Sequence, residues 1–345
     1  MSLRPSAFSL RPLLISLCLL VAAAIDAQQR GITAAPTVAR GYDLVLNADF
    51  EGLDRALADI CPPAPQVACM GLEALSLWWQ IHIDPESRRL DAAFLSKVNA
   101  AIAEAERMTK AEPNRAEAWF YLGAAYGVRA QFRVYRVERL AAARDGKRIK
   151  QALERALALD PALHDAEFGI GMYRYYAGVA PAFFRFLRFL LLLPGGDRED
   201  GLRQLERAAT RGELVRGEAQ YQIHVLYLWY EDRWREALAI IRDLEQRYPR
   251  NPLLRQIEAE ILDVYMHDAA ASLDASAQLL AMAESGSVNR PDLAATVARL
   301  NIAKQLIALK QDARAADILD RVIAEQPTAP HDAIARARAL RRALK

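Results

Sequence analysis

The sequence predicts an all-α protein, a right-handed solenoid of stacked helix pairs, and three observations predict it. Four segments place residues at i, i+3, i+4 and i+7, the spacing that lines one face of a helix. They are Trp119, Leu122, Gly123, Tyr126; Phe168, Gly171, Met172, Tyr175; Tyr221, His224, Val225, Leu228; and Leu300, Ala303, Lys304, Ile307. A second apolar-periodic stretch follows each of them and runs into a proline, at Pro161, Pro194, Pro249 and Pro327. Proline ends a helix because it lacks the N–H and its ring clashes with the preceding turn. Strand-like alternation is rare, and Pro and Gly fall between the helical segments rather than in hairpin turns.

The spacing of these pairs defines a repeat. Tyr221 to Pro249 is 28 residues, Leu300 to Pro327 is 27 and Phe168 to Pro194 is 26. Trp119 to Pro161 is 42, so that unit carries extra turns around QFRVYRVERLAAARDGKR. Residues 119–126 read W-x2-L-G-x2-Y, the first-helix signature of the tetratricopeptide repeat, and the pairs are tetratricopeptide-like in length.

At the N-terminus a short basic region precedes LLISLCLLVAAAI and the small-residue exit DAQQR. This is the pattern of a secretory signal peptide over residues 1–27, cleaved after Ala27 with Ala24 as the competing site. Thirteen apolar residues make about 20 Å of helix, short of the roughly 30 Å hydrocarbon layer. Cys18 lies within the run and leaves with it. The expected protein is therefore exported, periplasmic or associated with the cell envelope. Residues 28–40 read as a flexible lead-in and 41–345 as one helical-repeat domain.

Before the first clear repeat the pattern is helical over 42–60, 66–83 and 88–111. The counting above makes 181–193 the second helix of its repeat, and Ala182 and Phe186 reproduce the A-x3-F of that helix. Its dozen or so apolar residues make about 18 Å, so it does not span a bilayer. A helix over 198–211, a degenerate pair over 252–285 and an Arg-rich closing helix complete the chain; a polar last helix caps the end of a solenoid.

Composition bounds the function. The 345 residues are 53% hydrophobic and 26% charged, as in a folded protein. Lys+Arg total 45 against Asp+Glu 43, so no net field draws nucleic acid. The five histidines, His82, His164, His224, His267 and His331, show no H-E-x-x-H and no i, i+4 pair. No metal site, cofactor motif or nucleophile elbow is legible. His224 sits at a packing position of its repeat and reads as a core residue. Cys61 and Cys69, in DICPPAPQVACMG, have no further ligand nearby, and in an exported chain they read as a disulfide.

One stretch carries a narrower resemblance. FGIGMYRYYAGVAPAFFRFLRFLLLLPGGDREDGLRQLERA is similar to the fungal inclusion-body clearance proteins and their animal tetratricopeptide relatives, through Gly169, Gly171, Pro181, Gly196, Asp197, Arg198 and Gly201. LNADFEGLDRALADI looks like that family's opening helix. The resemblance implies a helical-repeat fold and no catalytic activity; it lends no ligand.

Two sets of residues are candidates for partner binding. On the first helices, Tyr176, Gln222, Leu226 and Trp229 fall off the packing positions and are expected to line a concave groove, where rigid aromatics anchor a protein segment. On 181–193, Phe184, Leu187 and Leu191 form a second apolar face beside Arg185 and Arg188. Asp197 is expected to cap the helix that follows it. The leading expectation is a non-catalytic adaptor or assembly factor that binds a peptide or protein segment in its groove, with peripheral envelope association left open. The alternatives are a lipid or apolar-ligand carrier using 181–193, and a hydrolase with carboxylates drawn from separate repeats.

Overall fold

A computed structural model describes residues 31–179, 195–328 and 330–344. Among them are fifteen α-helices and no strand. In chain order they are α1 Ala35–Leu46, α2 Phe50–Ile60, α3 Gln66–Ile83, α4 Asp91–Ala111, α5 Ala116–Tyr135, α6 Arg139–Leu159, α7 Asp165–Val179 and α8 Arg198–Arg211. There follow α9 Arg216–Trp229, α10 Trp234–Arg247, α11 Pro252–Glu260, α12 Ala269–Glu284, α13 Pro291–Ala308, α14 Asp312–Glu325 and α15 Ala333–Ala343. A π-helical turn, Ile261–Tyr265, extends α11. Each odd-numbered helix up to α13 packs on its even-numbered successor, and neighbouring pairs stack in chain order. The result is an α-solenoid with α15 closing its last pair.

The two members of a pair are buried differently. The second helices bury one stripe: in α8 it is Gly201, Gln204, Leu205 and Ala208, at i, i+3, i+4 and i+7. Four of the first helices, α3, α5, α9 and α13, are buried over most of their circumference. In α9 the buried residues include Gly217, Glu218, Ala219, Tyr221, Gln222, Ile223 and His224, successive positions that point in every direction. A helix buried all round lies inside the molecule. The first helices thus form an inner layer with the second helices outside.

Glycines set how closely the layers approach. Leu153 of α6 fills the space over Gly123 and Gly169, where an added methyl would lie 2.3 and 2.4 Å from its side chain. The glycine of the W-x2-L-G signature is thus the hole for a knob from the paired helix. α7 crosses α8 with Gly171 against Gly201, where a methyl on Gly171 would sit 2.8 Å from the Gly201 carbonyl oxygen.

Among the described residues the next helix that packs on α7 is α8; the expected second helix over 181–193 lies outside the described residues. The lead-in is corrected: α1 begins at Ala35, with Pro36 in its first turn, and buries Ala35 and Val38. Gly41 lets it pack closely, since a methyl there would come within 2.7 Å of Leu72 and 2.9 Å of Ile60, and contacts with α2 and α3 hold it. The segment 42–60 is broken by Ala48, with φ of 55°, and Asp49 then caps α2 through the Gly52 amide at 3.1 Å. Cys61 and Cys69 are joined as a disulfide, Cα atoms 6.3 Å apart, tying the end of α2 to the first turn of α3. The 42-residue unit is two long helices, α5 and α6, of 20 and 21 residues.

Candidate functional site

The concave side of this solenoid is occupied by its own chain. α1 and α3 reach across to α9 and α11, so inner helices of early pairs meet those of late ones. Trp79 of α3 donates its indole N–H to Glu218 of α9 at 3.2 Å and packs edge-on against Tyr221, ring centroids 4.9 Å apart. Loops before the later first helices grip the same N-terminal pairs. The Tyr248 hydroxyl donates to Asp43 at 2.8 Å, and the Asn251 amide donates to the Leu46 carbonyl at 2.8 Å. Asn289 donates to the Ala48 carbonyl at 3.2 Å, and Arg290 pairs with Asp84 at 2.8 Å. Residues 31–34 dock as well: Gly31 N–H donates to Asp160 and Thr33 N–H to Glu117, both at 2.9 Å.

This closure decides where the expected groove residues lie. Leu226 is fully buried, with 0% of its surface exposed, and Gln222 is 8% exposed, so neither faces a solvent groove. Gln222 donates to Gln131 at 3.1 Å and to Glu218 at 3.4 Å. Tyr176 is half-buried, its ring 5.8 Å from those of Tyr175 and Tyr230. Trp229, in contrast, is 67% exposed. Phe184, Arg185, Leu187, Arg188 and Leu191 lie outside the described residues, as do residues 1–27, the segment expected to be an export signal. His224 is buried, with Nδ1 bonded to the Tyr221 carbonyl, and burial depresses its pKa to about 4. Asp197 caps α8, accepting from the Asp200 amide at 2.9 Å.

Buried acids near the starts of inner helices were not singled out by sequence reasoning. Asp165 accepts the amides of Glu213 at 2.9 Å, Leu214 at 2.7 Å and Val215 at 2.9 Å, holding the approach to α9. Glu117 accepts both donors of Thr33 and pairs with Arg115. Glu218 has no cation: burial raises its pKa to about 7, against the opposing hydrogen bonds from Gln222 and Trp79. The signal was an acid in the first turn of α5, α7 and α9, where the helix dipole favours one. Asp165 and Glu117 are spent on backbone and side-chain donors, which is structural work rather than acid–base chemistry. Among the described residues no three His, Cys, Asp or Glu side chains converge as a metal site.

What the closed solenoid leaves outside is an apolar edge. The large hydrophobics exposed among the described residues are Val134, Tyr135, Val137, Leu140, Trp229, Tyr230, Trp234 and Val264. All eight lie where the first helix of a pair turns into the second: α5 to α6, α9 to α10, and the π turn before α12. The α9–α10 turn neighbours the π turn, with Trp234 6.0 Å from Tyr265, and also meets α7, with Tyr230 5.8 Å from Tyr176; Tyr135 at the α5–α6 turn meets His82 of α3 at 5.7 Å. Val137, 65% exposed, holds φ of 64°, a left-handed conformation that is strained for a β-branched residue.

No protein-family model matches this chain, and no curated protein does. Among solved structures the crystal structure of yeast Tom70 is similar at 12% identity and a TM-score of 0.32, over 81% of this chain and 65% of Tom70. That likeness is too distant to lend a ligand or a partner. No helix among the described residues is long and apolar enough to cross a membrane.

Proposed function

We propose that this chain is an exported, non-catalytic helical-repeat scaffold that holds a protein partner along the edge formed by its first-to-second-helix turns. The observation that carries the reading is the confinement of the exposed large hydrophobics to those turns. Scattered exposed apolar residues are ordinary, whereas apolar side chains gathered on one side of a molecule mark an interaction surface. Tryptophan and tyrosine are the residues that most often anchor such surfaces, and Trp229, Tyr230 and Trp234 stand together there. Strain at Val137 supports it, because a costly backbone conformation at an exposed position persists where function requires it. A peptide in the concave groove is the weaker version of the same adaptor reading, since Gln222 and Leu226 are spent on internal packing. Export rests on the N-terminal apolar run and its small-residue exit.

The test is in-cell photo-crosslinking from positions 229 and 137, with position 246 on the outer face of α10 as control. A discrete protein adduct from 229 and 137, absent from 246 and lost in Trp234→Ser, is the expected result. Lipid adducts alone at 229 and 137 would replace the scaffold reading with membrane-surface docking. Equal labelling at all three positions would remove the edge from consideration.

A further inference from the structure

From Arg133 to Lys150, across the α5–α6 turn, seven residues are basic and two acidic, in a chain whose formal net charge is +2. Four of the seven are paired: Arg133 with Asp145 at 2.6 Å, Arg136 with Asp91 at 2.7 Å, Arg148 with Glu106 at 4.0 Å, and Lys150 with Glu154. Neither acid of the stretch serves the other three. Asp145 is buried and held by Arg129 and Arg133, and Glu138 turns to Arg133, 3.9 Å away. Arg139, Arg144 and Lys147 are exposed and make no ion pair or hydrogen bond among the described residues. The dipole of α6 adds to this charge instead of offsetting it, because its first turn holds Arg139 and no acid.

Isolated surface cations need no explanation beyond solubility; these are aligned with apolar side chains. Leu140, Arg144 and Lys147 stand at i, i+4 and i+7 on α6, one stripe of its exposed face. Leu140 is 52% exposed, and Val134 and Val137 just before it are 66% and 65% exposed. An apolar patch therefore leads directly into a cationic row. Because α6 starts at the turn and runs away from it, Lys147 lies about 10 Å along the helix axis from Leu140. A flat lipid surface resting on Val137 and Leu140 would leave Lys147 behind, whereas an elongated segment laid along α6 meets both ends of the stripe.

We propose that the partner held at the edge is acidic where it meets α6: an elongated protein segment that sets apolar side chains on Val137 and Leu140 and carboxylates beside Arg144 and Lys147. This rests on the edge as the partner-binding surface and adds the partner's chemistry. Exposed charges of this kind steer the encounter and fix the direction of the segment, apolar end toward the turn, more than they add affinity.

The probe is a display library of random dodecapeptides, selected on the full chain and counter-selected on the double variant Arg144→Glu with Lys147→Glu. Enriched peptides should carry Asp or Glu residues to one side of an apolar pair. A synthetic peptide of that set should bind the wild type at least about tenfold more tightly than the double variant. The neutral pair Arg144→Gln with Lys147→Gln should lose less than the reversal, and Leu140→Ser should weaken binding several-fold. Arg338→Glu, which reverses an exposed cation on α15, should change nothing. Failure to enrich any discriminating peptide, discriminating peptides without acids, or binding indifferent to Leu140→Ser would each overturn the proposal. Phosphatidylglycerol vesicles that retain the wild type but not the double variant, with no peptide enriched, would overturn it in favour of an anionic lipid surface. Failure of the edge reading looks different: acidic peptides are enriched, but position 229 gives no protein adduct. A protein adduct at 229 without enrichment of acidic peptides leaves the edge standing and removes only the acidic partner.

Discussion

Glu218→Gln is the sharpest test of how the solenoid closes. Glu218 is 1% exposed and takes hydrogen bonds from Trp79 and Gln222 but pairs with no cation. Burial moves its carboxyl from an ordinary 4.5 to about 7. A folded-state pKa above the unfolded value means the native state holds the proton more tightly, so this group's contribution falls as pH rises from about 4.5 to 7. At about 1.4 kcal/mol per pH unit, Glu218 costs the fold on the order of 3 kcal/mol above pH 7 and almost nothing below pH 4. Glutamine keeps an acceptor for Trp79 and never ionises. Urea unfolding of both proteins at pH 5 and pH 8 should therefore show the variant gaining about 2.5 kcal/mol on the wild type between the two. Taking the difference removes other buried titrating groups, such as His82 and His224, held near 3 and 4 by burial, and Glu245, raised to about 7. A wild-type-to-variant difference that does not change with pH would refute the claim that Trp79 and α9 enclose a desolvated carboxyl.

Two further outcomes follow from the same closure. Asp165→Ala strips three amides, two of them in buried bonds; at about 1–3 kcal/mol per donor left unpaired it should cost roughly 4 kcal/mol or more in urea melts. Asp165→Asn keeps one acceptor oxygen and should lose less than half as much, so equal losses would count against the capping role. Reducing Cys61–Cys69 should lower the Tm, since closing so short a loop contributes about 2.5 kcal/mol in the chain-entropy account, while helical circular dichroism at 25 °C stays the same. An unchanged Tm under reductant would argue that the bond adds nothing to stability.

Much of this protein is visible in its sequence because helix periodicity and proline stops are local. The i, i+3, i+4, i+7 stripes at Trp119, Phe168, Tyr221 and Leu300 mark inner helices α5, α7, α9 and α13, and Asp197 is readable as a cap from its place before GLRQLERA. α1 is only partly readable. Its buried residues Ala35, Val38, Gly41 and Val45 keep helical spacing, but the Pro, Thr and Gly among them read as a lead-in, and packing on α2 and α3 marks where the helix starts. The packing of α7 on α8 was out of reach, since the close approach of Gly171 to Gly201 leaves no mark in the periodicity of either helix.

The functional surface divides along the same line. From sequence, Tyr176, Gln222, Leu226 and Trp229 are equivalent, because all four leave the packing stripe of their own pair. Their fates differ because the inner layer packs on itself: Gln222 meets Gln131 of α5 and Leu226 is fully buried, while Trp229 stays exposed. Periodicity within one helix reports the face turned toward its partner in the pair. It carries no information about segments more than a hundred residues away, such as Trp79 on Glu218. The sequence by itself therefore determined the helices, most of their ends and the repeat; whether the concave side is open or filled was decided by long-range packing.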